Sequence, residues 1–557
     1  MSAIDLATLT GAVDGAGMMA HLAELARWVK LSGTEDEANS LRHIRSVLDG
    51  YGYRTTWLEH DAYISLPLEA RAEVDGVALK AITHSMSLPS PEGGVTGRLV
   101  HVGEGAAAEL AGRDLKGAIL LVEGIASPAA ALAATRAGAV AQLHISPHEH
   151  LHEMCISPVW GSPSPETLAE MPRTVAVTIS HEDGSALRAR LEKGEAPQVV
   201  LHANVDTGWR RTPILVAELD APDAGTPFIL FSGHHDTWYE GVMDNGAANV
   251  TMIEVARIAA QHRASWKRGL RLCFWSGHSH GRYSGSSWYA DTNWDELDRR
   301  CAAHVNVDST GGVGADILGD APASSELAGL ADDAIHTQAG QRHNGKRIGR
   351  AGDESFWGIG IPALFMSLSQ QPPGPVKMRN PLGWWWHTPH DLLDRIDPAN
   401  LERDARVYVH AVGRLLTDAV LPVDYAAHAA ALKAELAKLT AAERHGLEIA
   451  PLIAAADALA EAATARRARA GDAPAAYDAA VMRASRALVP VDYTRGDRFA
   501  HDPALPQPAW PARDALRRLA AMEVGGDAAK HQAVAARRAR NRIAHALREA
   551  TAALSAA

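Results

Sequence analysis

Pro227-Phe-Ile-Leu-Phe-Ser-Gly-His-His-Asp236 is the stretch whose reading decides the fold. Four apolar residues between Pro227 and the Ser232-Gly233 turn pair have the length and bounds of a buried strand, and the strand delivers His234, His235 and Asp236 at its end. A turn of small residues follows, Gly241-Val-Met-Asp-Asn-Gly-Ala-Ala248, and feeds an apolar helix through Glu254 and Ile258. The pattern then repeats. Leu270-Arg-Leu-Cys-Phe-Trp275 runs into Ser276-Gly-His-Ser-His280, and His304-Val-Asn-Val307 ends on Asp308.

Three strand ends therefore bring His and Asp side chains to one edge, where open α/β sheets bind ligands. Imidazole and carboxylate together form a zinc-compatible set. A single His-x-Asp reads equally well as a surface histidine beside a helix cap. Three in order, followed by His387 in Trp386-His-Thr-Pro-His-Asp391, do not.

On these motifs the chain resembles the co-catalytic zinc exopeptidases, a family that includes bacterial aminopeptidases, glutamate carboxypeptidase II and the transferrin receptor. The resemblance implies an α/β fold, with a mixed sheet flanked by helices, an inserted β-rich domain similar to the protease-associated domain, and a C-terminal helical domain. It implies one or two Zn2+ ions. One would be held by His234, Asp244 and Asp308, the other by bridging Asp244, His387 and a residue standing in for a glutamate, with the Asp236 carboxylate orienting the His234 ring. The departure lies in the family's Glu-Glu pair. Counting back from Gly285-Ser286 puts those acids at Ser279 and His280, which makes His280 the remaining ligand. A slip of two residues puts His278 in that role instead.

A serine hydroxyl is no general base at neutral pH. The expectation is therefore a metal-activated water whose proton passes to a histidine, with His278, His235, His150 and His152 as candidates. Ser279 is then a hydrogen-bond donor. The implied activity is hydrolysis of a peptide or amide bond in a small substrate. A lyase or cyclase on the same scaffold, or a non-catalytic binding protein like the transferrin receptor, are the alternatives, since a fold does not fix its reaction.

The rest of the chain fits around this centre. A length of 557 residues suits about three or four domains. The boundaries read as a first catalytic part over 1–66, the insertion over 67–205, a second catalytic part over 206–422 and the helical domain over 423–557. Met18 to Tyr51 has helical spacing, broken at Ser32-Gly33 and restarted at a Thr34 cap. In the insertion, strand-like runs at Val95–Val102, Gly117–Glu123 and Ala139–Ile145 surround a helix from Pro128 to Gly138.

His144, His148, His150 and His152 crowd one loop before Trp160. A histidine-rich tract binds metal or is merely solvated. A third reading has His150, His152 and Trp160 overhanging the cleft and touching substrate. Trp384, Trp385 and Trp386 cannot all be core, because neighbouring rings face different environments, so Trp386 is placed on the pocket wall. Lys377 and Arg379 read as plain surface charge or as the receivers of a substrate carboxylate. Asp353, in Gly352-Asp-Glu-Ser-Phe356, reads as structural.

A net charge of -12 excludes a nucleic-acid surface. No apolar run reaches the roughly 20 residues of a membrane span. Cys155, Cys273 and Cys301 are too few for a disulfide framework, and with no visible secretory signal they point to the cytoplasm. The amphipathic stripes after Val423 point to a homodimer held by the C-terminal helices.

Overall fold

The computed structural model describes residues 6–223, 225–374 and 381–556. The larger of its two sheets is mixed and has eight strands. Phe228–His234 runs parallel to Gly269–Trp275 on one side and to Cys301–Asn306 on the other, and Ala363–Leu364 extends the parallel set. Each long central strand is buried along its whole length, so both faces must be covered. Ile229, Phe231, Leu272 and Phe274 face one core with the helices Ala248–Gln261 and Pro398–Thr417. Leu230, Cys273 and Trp275 face a second core with Phe356 and Tyr289.

The far half of this sheet is antiparallel. Val199–Leu219 pairs with Gly269–Trp275 and with Arg54–Val74, and each of these two long strands spans 21 residues. They pair from Arg54↔Glu218 to Val74↔Val199, with one register shift between Pro67 and Glu69. The chain thus enters and leaves the insertion along one uninterrupted ribbon.

The insertion holds a five-stranded sheet in which Leu99–His101, Ile119–Glu123, Ala141–Ile145 and Val175–Ile179 are all parallel. Ile119 and Leu121 point to one core, and Leu120 and Val122 to another. The helices Pro128–Arg136 and His181–Glu192 accompany it. The expectation of a β-rich module with a single helix is corrected to an α/β layer. Short apolar runs without alternation are what a sheet covered on both faces requires.

Helices Gly15–Leu25 and Glu35–Gly50 fill the Met18–Tyr51 stretch. The Thr34 side chain caps the second by accepting from the Glu37 amide, and Glu37 reaches back to the Gly33 amide.

Beyond 423, helices Tyr425–Ala437, Ala450–Ala468, Pro474–Tyr493 and Asp527–Ser555 pack together. Their Leu432, Leu459, Leu488 and Leu547 belong to the same continuous core as the eight-stranded sheet. The stripes are therefore covered within the chain and do not themselves call for a second copy. At the seam, buried His428 stands 3.3 Å from Glu326 and 3.0 Å from Asp492, and Arg513 donates to Asp492 at 2.9 Å. No helix among the described residues is long and apolar enough to cross a membrane.

Candidate metal centre

Asp244 lies at the middle of the site. Its Oδ1 is 3.1 Å from His234 Nε2 and its Oδ2 is 3.1 Å from His387 Nε2. Asp308 Oδ2 is 3.6 Å from the same His234 nitrogen. Strand ends explain the convergence. His234 closes one strand and Asp308 follows its parallel neighbour, while Asp244 sits in the turn opening the helix Ala248–Gln261.

Asn245 ties these ends together. Its side chain donates to the His234 and Val307 carbonyls and accepts from the Ser309 amide. Asp391 holds the turn from the other side, accepting the Met243 and Asp244 amides at 2.9 and 3.0 Å. Burial pushes the Asp391 carboxyl up to about 7 despite those amides.

Both imidazoles present a lone pair to Asp244. His234 Nδ1 donates to the Asp236 carbonyl at 2.8 Å, and His387 Nδ1 donates to the Glu153 carbonyl at 2.7 Å. Each Nε2 is therefore unprotonated in the neutral ring. Lone pairs facing carboxylate oxygens at 3.1 Å repel unless positive charge lies between them. His234 Nε2 and Asp244 Oδ1 are both fully buried and have no hydrogen-bond partner.

The protonation balance makes the same demand. Burial disfavours a charged His234, yet the Asp308 and Asp244 carboxylates overcome it and raise the ring well above its ordinary value. Burial also opposes the Asp244 carboxylate, which His234 and His387 nevertheless hold below the usual range. The donor chemistry fits a divalent ion, since one imidazole and two carboxylates balance a double charge. Bonds of roughly 2.0–2.2 Å put tetrahedral ligands about 3.3–3.6 Å apart.

His278 joins this group. Its ring stacks on His234 with centroids 3.7 Å apart, and ligand atoms of His234, His278 and Asp308 all lie within 4.8 Å of one another. His278 Nδ1 donates to Asp353 Oδ2 at 2.8 Å, and Asp353 Oδ1 takes the Ser286 hydroxyl at 2.6 Å. Burial raises the Asp353 carboxyl, but His278 outweighs it and the net shift is downward. Asp353, read from the sequence as structural, is thus the carboxylate that fixes the His278 tautomer.

His280 is fully buried, with Nδ1 turned to the Ser32 hydroxyl at 2.9 Å, its ring against Trp238 and its Nε2 enclosed without a hydrogen-bond partner. The turn after Trp275 points His278 into the cleft. Asp236 orients His234 through its backbone carbonyl rather than its carboxylate. That carboxylate accepts the Ser32 hydroxyl and the His278 and Ser279 amides, and so shapes the turn. His235 points away from the cleft to the Asn249 side chain.

A cavity of about 360 Å³ opens in front of the cluster, with Ser279, Trp238, Tyr283, Leu382 and Trp386 in its wall. Trp386 therefore stands where the sequence put it. His150 and His152 do not line this cavity. His150 stacks on Trp384 with centroids 4.1 Å apart, and buried His152 donates to the Trp386 carbonyl at 2.5 Å.

Trp160 does not line it either. Its indole donates to Ser355 at 2.9 Å and its ring packs between Tyr283 and the Arg350 guanidinium. Lys377 and Arg379 lie outside the described residues. Positive φ values of 50–70° at Tyr239, Arg282, Tyr283, Ser309 and His387 cluster around the cleft. The backbone is strained where side chains must be aimed.

Comparison with known proteins agrees with this geometry. The sequence matches no curated protein. Among solved structures, it resembles an aminopeptidase from Aneurinibacillus sp. strain AM-1 at 23% identity and a TM-score of 0.56, covering 74% of this chain and 96% of that one. BSAP, a zinc aminopeptidase from Bacillus subtilis, is similar at 19% identity and 0.56, covering 73% and 96%. A Peptidase M28 precursor from Shewanella amazonensis SB2B is similar at 17% identity and 0.59, covering 74% and 95%. These likenesses establish the fold. Residues 215–412, which carry His234, Asp244, His278, Asp308, Asp353 and His387, match the family model of Peptidase family M28, in line with the resemblance of the motifs to the co-catalytic zinc exopeptidases.

Proposed function

We propose that the protein is a zinc-dependent hydrolase of a peptide or amide bond in a small substrate, with His278 in place of the usual glutamate base. The observation that carries this reading is the buried, unpartnered pair of His234 Nε2 and Asp244 Oδ1, 3.1 Å apart beside Asp308. His234, Asp244 and Asp308 would hold the ion. When bound there, zinc supplies Lewis acidity to a carbonyl oxygen and to a water.

The protein's own groups do the rest. With Nδ1–H committed to Asp353, the Nε2 of His278 is free to take a proton from the attacking water and return it to the leaving nitrogen. The Ser279 hydroxyl, buried and without a partner, is a donor for substrate. Trp238, Tyr283 and Trp386 exclude bulk water from the cavity. A second ion would have Asp244 Oδ2 and His387 Nε2 but no further carboxylate, because histidine stands at position 280 where the resemblance puts the ligand glutamate. One tightly held ion is the reading that follows.

Zinc content of the purified chain and turnover of a mixed set of aminoacyl, acyl-amino-acid and dipeptide substrates test this, with His234→Ala and His278→Ala alongside. A zinc-free protein would end it. A lyase or cyclase is the second reading, favoured by the absence of any acid at positions 278–280. Products formed without uptake of water would select it, and zinc binding with no turnover of any kind would select a binding protein.

The division at 66/67, 205/206 and 422/423, a protease-associated role for the insertion and a cytoplasmic setting belong to the same proposal. A homodimer through 423–557 rests on the family resemblance, and sedimentation at micromolar concentration tests it.

A further inference from the structure

The cavity in front of the metal cluster has an uneven charge. Its lining contains two carboxylates, Asp244 and Asp308, and both are assigned to the ion. It also contains two cations, Arg282 and Lys346, and neither has an ion-pair partner among the described residues. Arg282 is the telling one. It is half-buried, its Nε is fully enclosed, and no side-chain nitrogen of it makes a hydrogen bond among the described residues.

Three buried guanidinium groups among the described residues are paired with acids. Arg268 meets Asp478 at 2.6 Å, Arg271 meets Glu218 and Glu296, and Arg513 meets Asp492. A half-buried guanidinium without an anion keeps its donors available for a ligand's carboxylate.

The side chain is also aimed. Arg282 and Tyr283 both have positive φ, and the Arg282 carbonyl accepts the Gly161 amide at 2.6 Å. The guanidinium lies 4.9 Å from the centre of the Tyr283 ring. Behind Tyr283, Arg350 donates to the neutral carbonyls of Asp502 and Pro503, so its charge adds to the same end. A free amino terminus would need an acid here, and none remains. Glu153, whose carbonyl holds His387, gives its carboxylate to the Tyr239 hydroxyl and does not line the cavity.

We propose that Arg282 binds the terminal carboxylate of the substrate, so that the enzyme works from the carboxyl end on peptides or N-acyl amino acids. The inference rests on the hydrolase reading above. An N-acyl amino acid and one water give a carboxylate and a free amino acid. The water oxygen forms the new C–O bond as the C–N bond breaks. One water proton passes through His278 to the leaving nitrogen, and the proton shed by the new acid completes the ammonium group. Lys346, on the rim, draws the anion inward.

The test uses the zinc-loaded full-length chain and three substrates: an N-acetyl dipeptide with a free carboxylate, its C-terminal amide, and an aminoacyl amide with a free amine. Cleavage of the free acid should exceed that of its amide by roughly 10- to 100-fold in kcat/KM, as loss of a charge-assisted pair predicts. Arg282→Gln should bring that ratio close to one, mainly through KM, and Arg282→Lys should restore part of it. Zinc content and circular dichroism report whether each variant is folded.

Preference for the free-amine substrate, unmoved by Arg282→Gln, would overturn the proposal and leave the hydrolase reading standing. If no amide is cleaved the hydrolase reading fails, and calorimetry with an N-acetyl amino acid and its amide still decides the site. Binding that needs both the carboxylate and Arg282 supports it. Equal binding of acid and amide, or none, overturns it.

Discussion

His428→Gln tests the seam between the helical region and the catalytic sheet, and its effect depends on pH in a calculable way. In the native chain His428 lies between Asp492 and Glu326, with Arg513 on the far side of Asp492, and all four side chains are buried. Burial alone would lower the imidazole, but Asp492 and then Glu326 outweigh it and raise the group to about 9 from 6.5. At about 1.4 kcal/mol per unit, the raised value is worth roughly 3 kcal/mol.

A group whose folded value is raised gives its full contribution below 6.5 and loses it as pH climbs through about 9. Urea unfolding of both chains across that interval, at fixed ionic strength, gives the difference in stability. That difference should shrink by roughly 3 kcal/mol over the window, at about 1.4 kcal/mol per pH unit. Lys30, lowered to about 8 by burial, and the carboxyls of Asp391 and Glu153, pushed to about 7, titrate in both chains and cancel. Parallel curves for the two proteins would refute the idea that His428 carries a proton in the folded state.

Asp353→Asn keeps the shape of the site but removes the acceptor that sets the His278 tautomer. It should lower kcat by about 100- to 10,000-fold with zinc content unchanged, and an unaffected kcat would remove His278 from the mechanism. His280→Glu supplies the carboxylate that the resemblance expects as a ligand beside bridging Asp244 and His387. The metal content should then rise from about one to about two zinc per chain by mass spectrometry, and an unchanged ratio would show that position 280 is not what limits occupancy. Trp160→Ala empties the junction of Tyr283, Arg350 and Ser355 and should cost about 3–5 kcal/mol, read by thermal unfolding and by faster proteolysis of the 495–511 segment. A loss within experimental error would mean that the junction carries no load.

The strand ends were legible because each element announced its ligand by position. Four apolar residues and a small-residue turn place His234 wherever the neighbouring strands sit, and the same holds for Asp308. His278 and His280 could not be separated from sequence, because the turn after Trp275 is shaped by contacts distant in the chain. The Asp236 carboxylate holds two of its amides, and Ser32 claims His280. Asp353 and Asp391 were visible as acids beside the motifs. Their partners, His278 and the 243–244 amides, are fixed only by the fold.

The histidine-rich loop misled for a related reason. His152 is directed at a backbone carbonyl from another segment, a partner that leaves no mark in composition. The insertion's true layer was hidden because Val175–Ile179 and the helix after it follow a long irregular stretch, and parallel pairing has no local turn to reveal it.

The paired strands Arg54–Val74 and Val199–Leu219 set how the cleft can breathe. Together they form a beam roughly 70 Å long. Its near end is part of the catalytic sheet, and its far end carries the domain that supplies Met154 and Cys155 to the cavity wall. Such a beam resists folding over like a lid on a linker, because every bend must break ladder hydrogen bonds. Torsion about its own length is the softer deformation, and the irregularity between Pro67 and Glu69 is where the ladder offers it least resistance. Grafting the insertion onto another scaffold would have to carry both strand ends with it, since cutting at its loops would open the catalytic sheet itself.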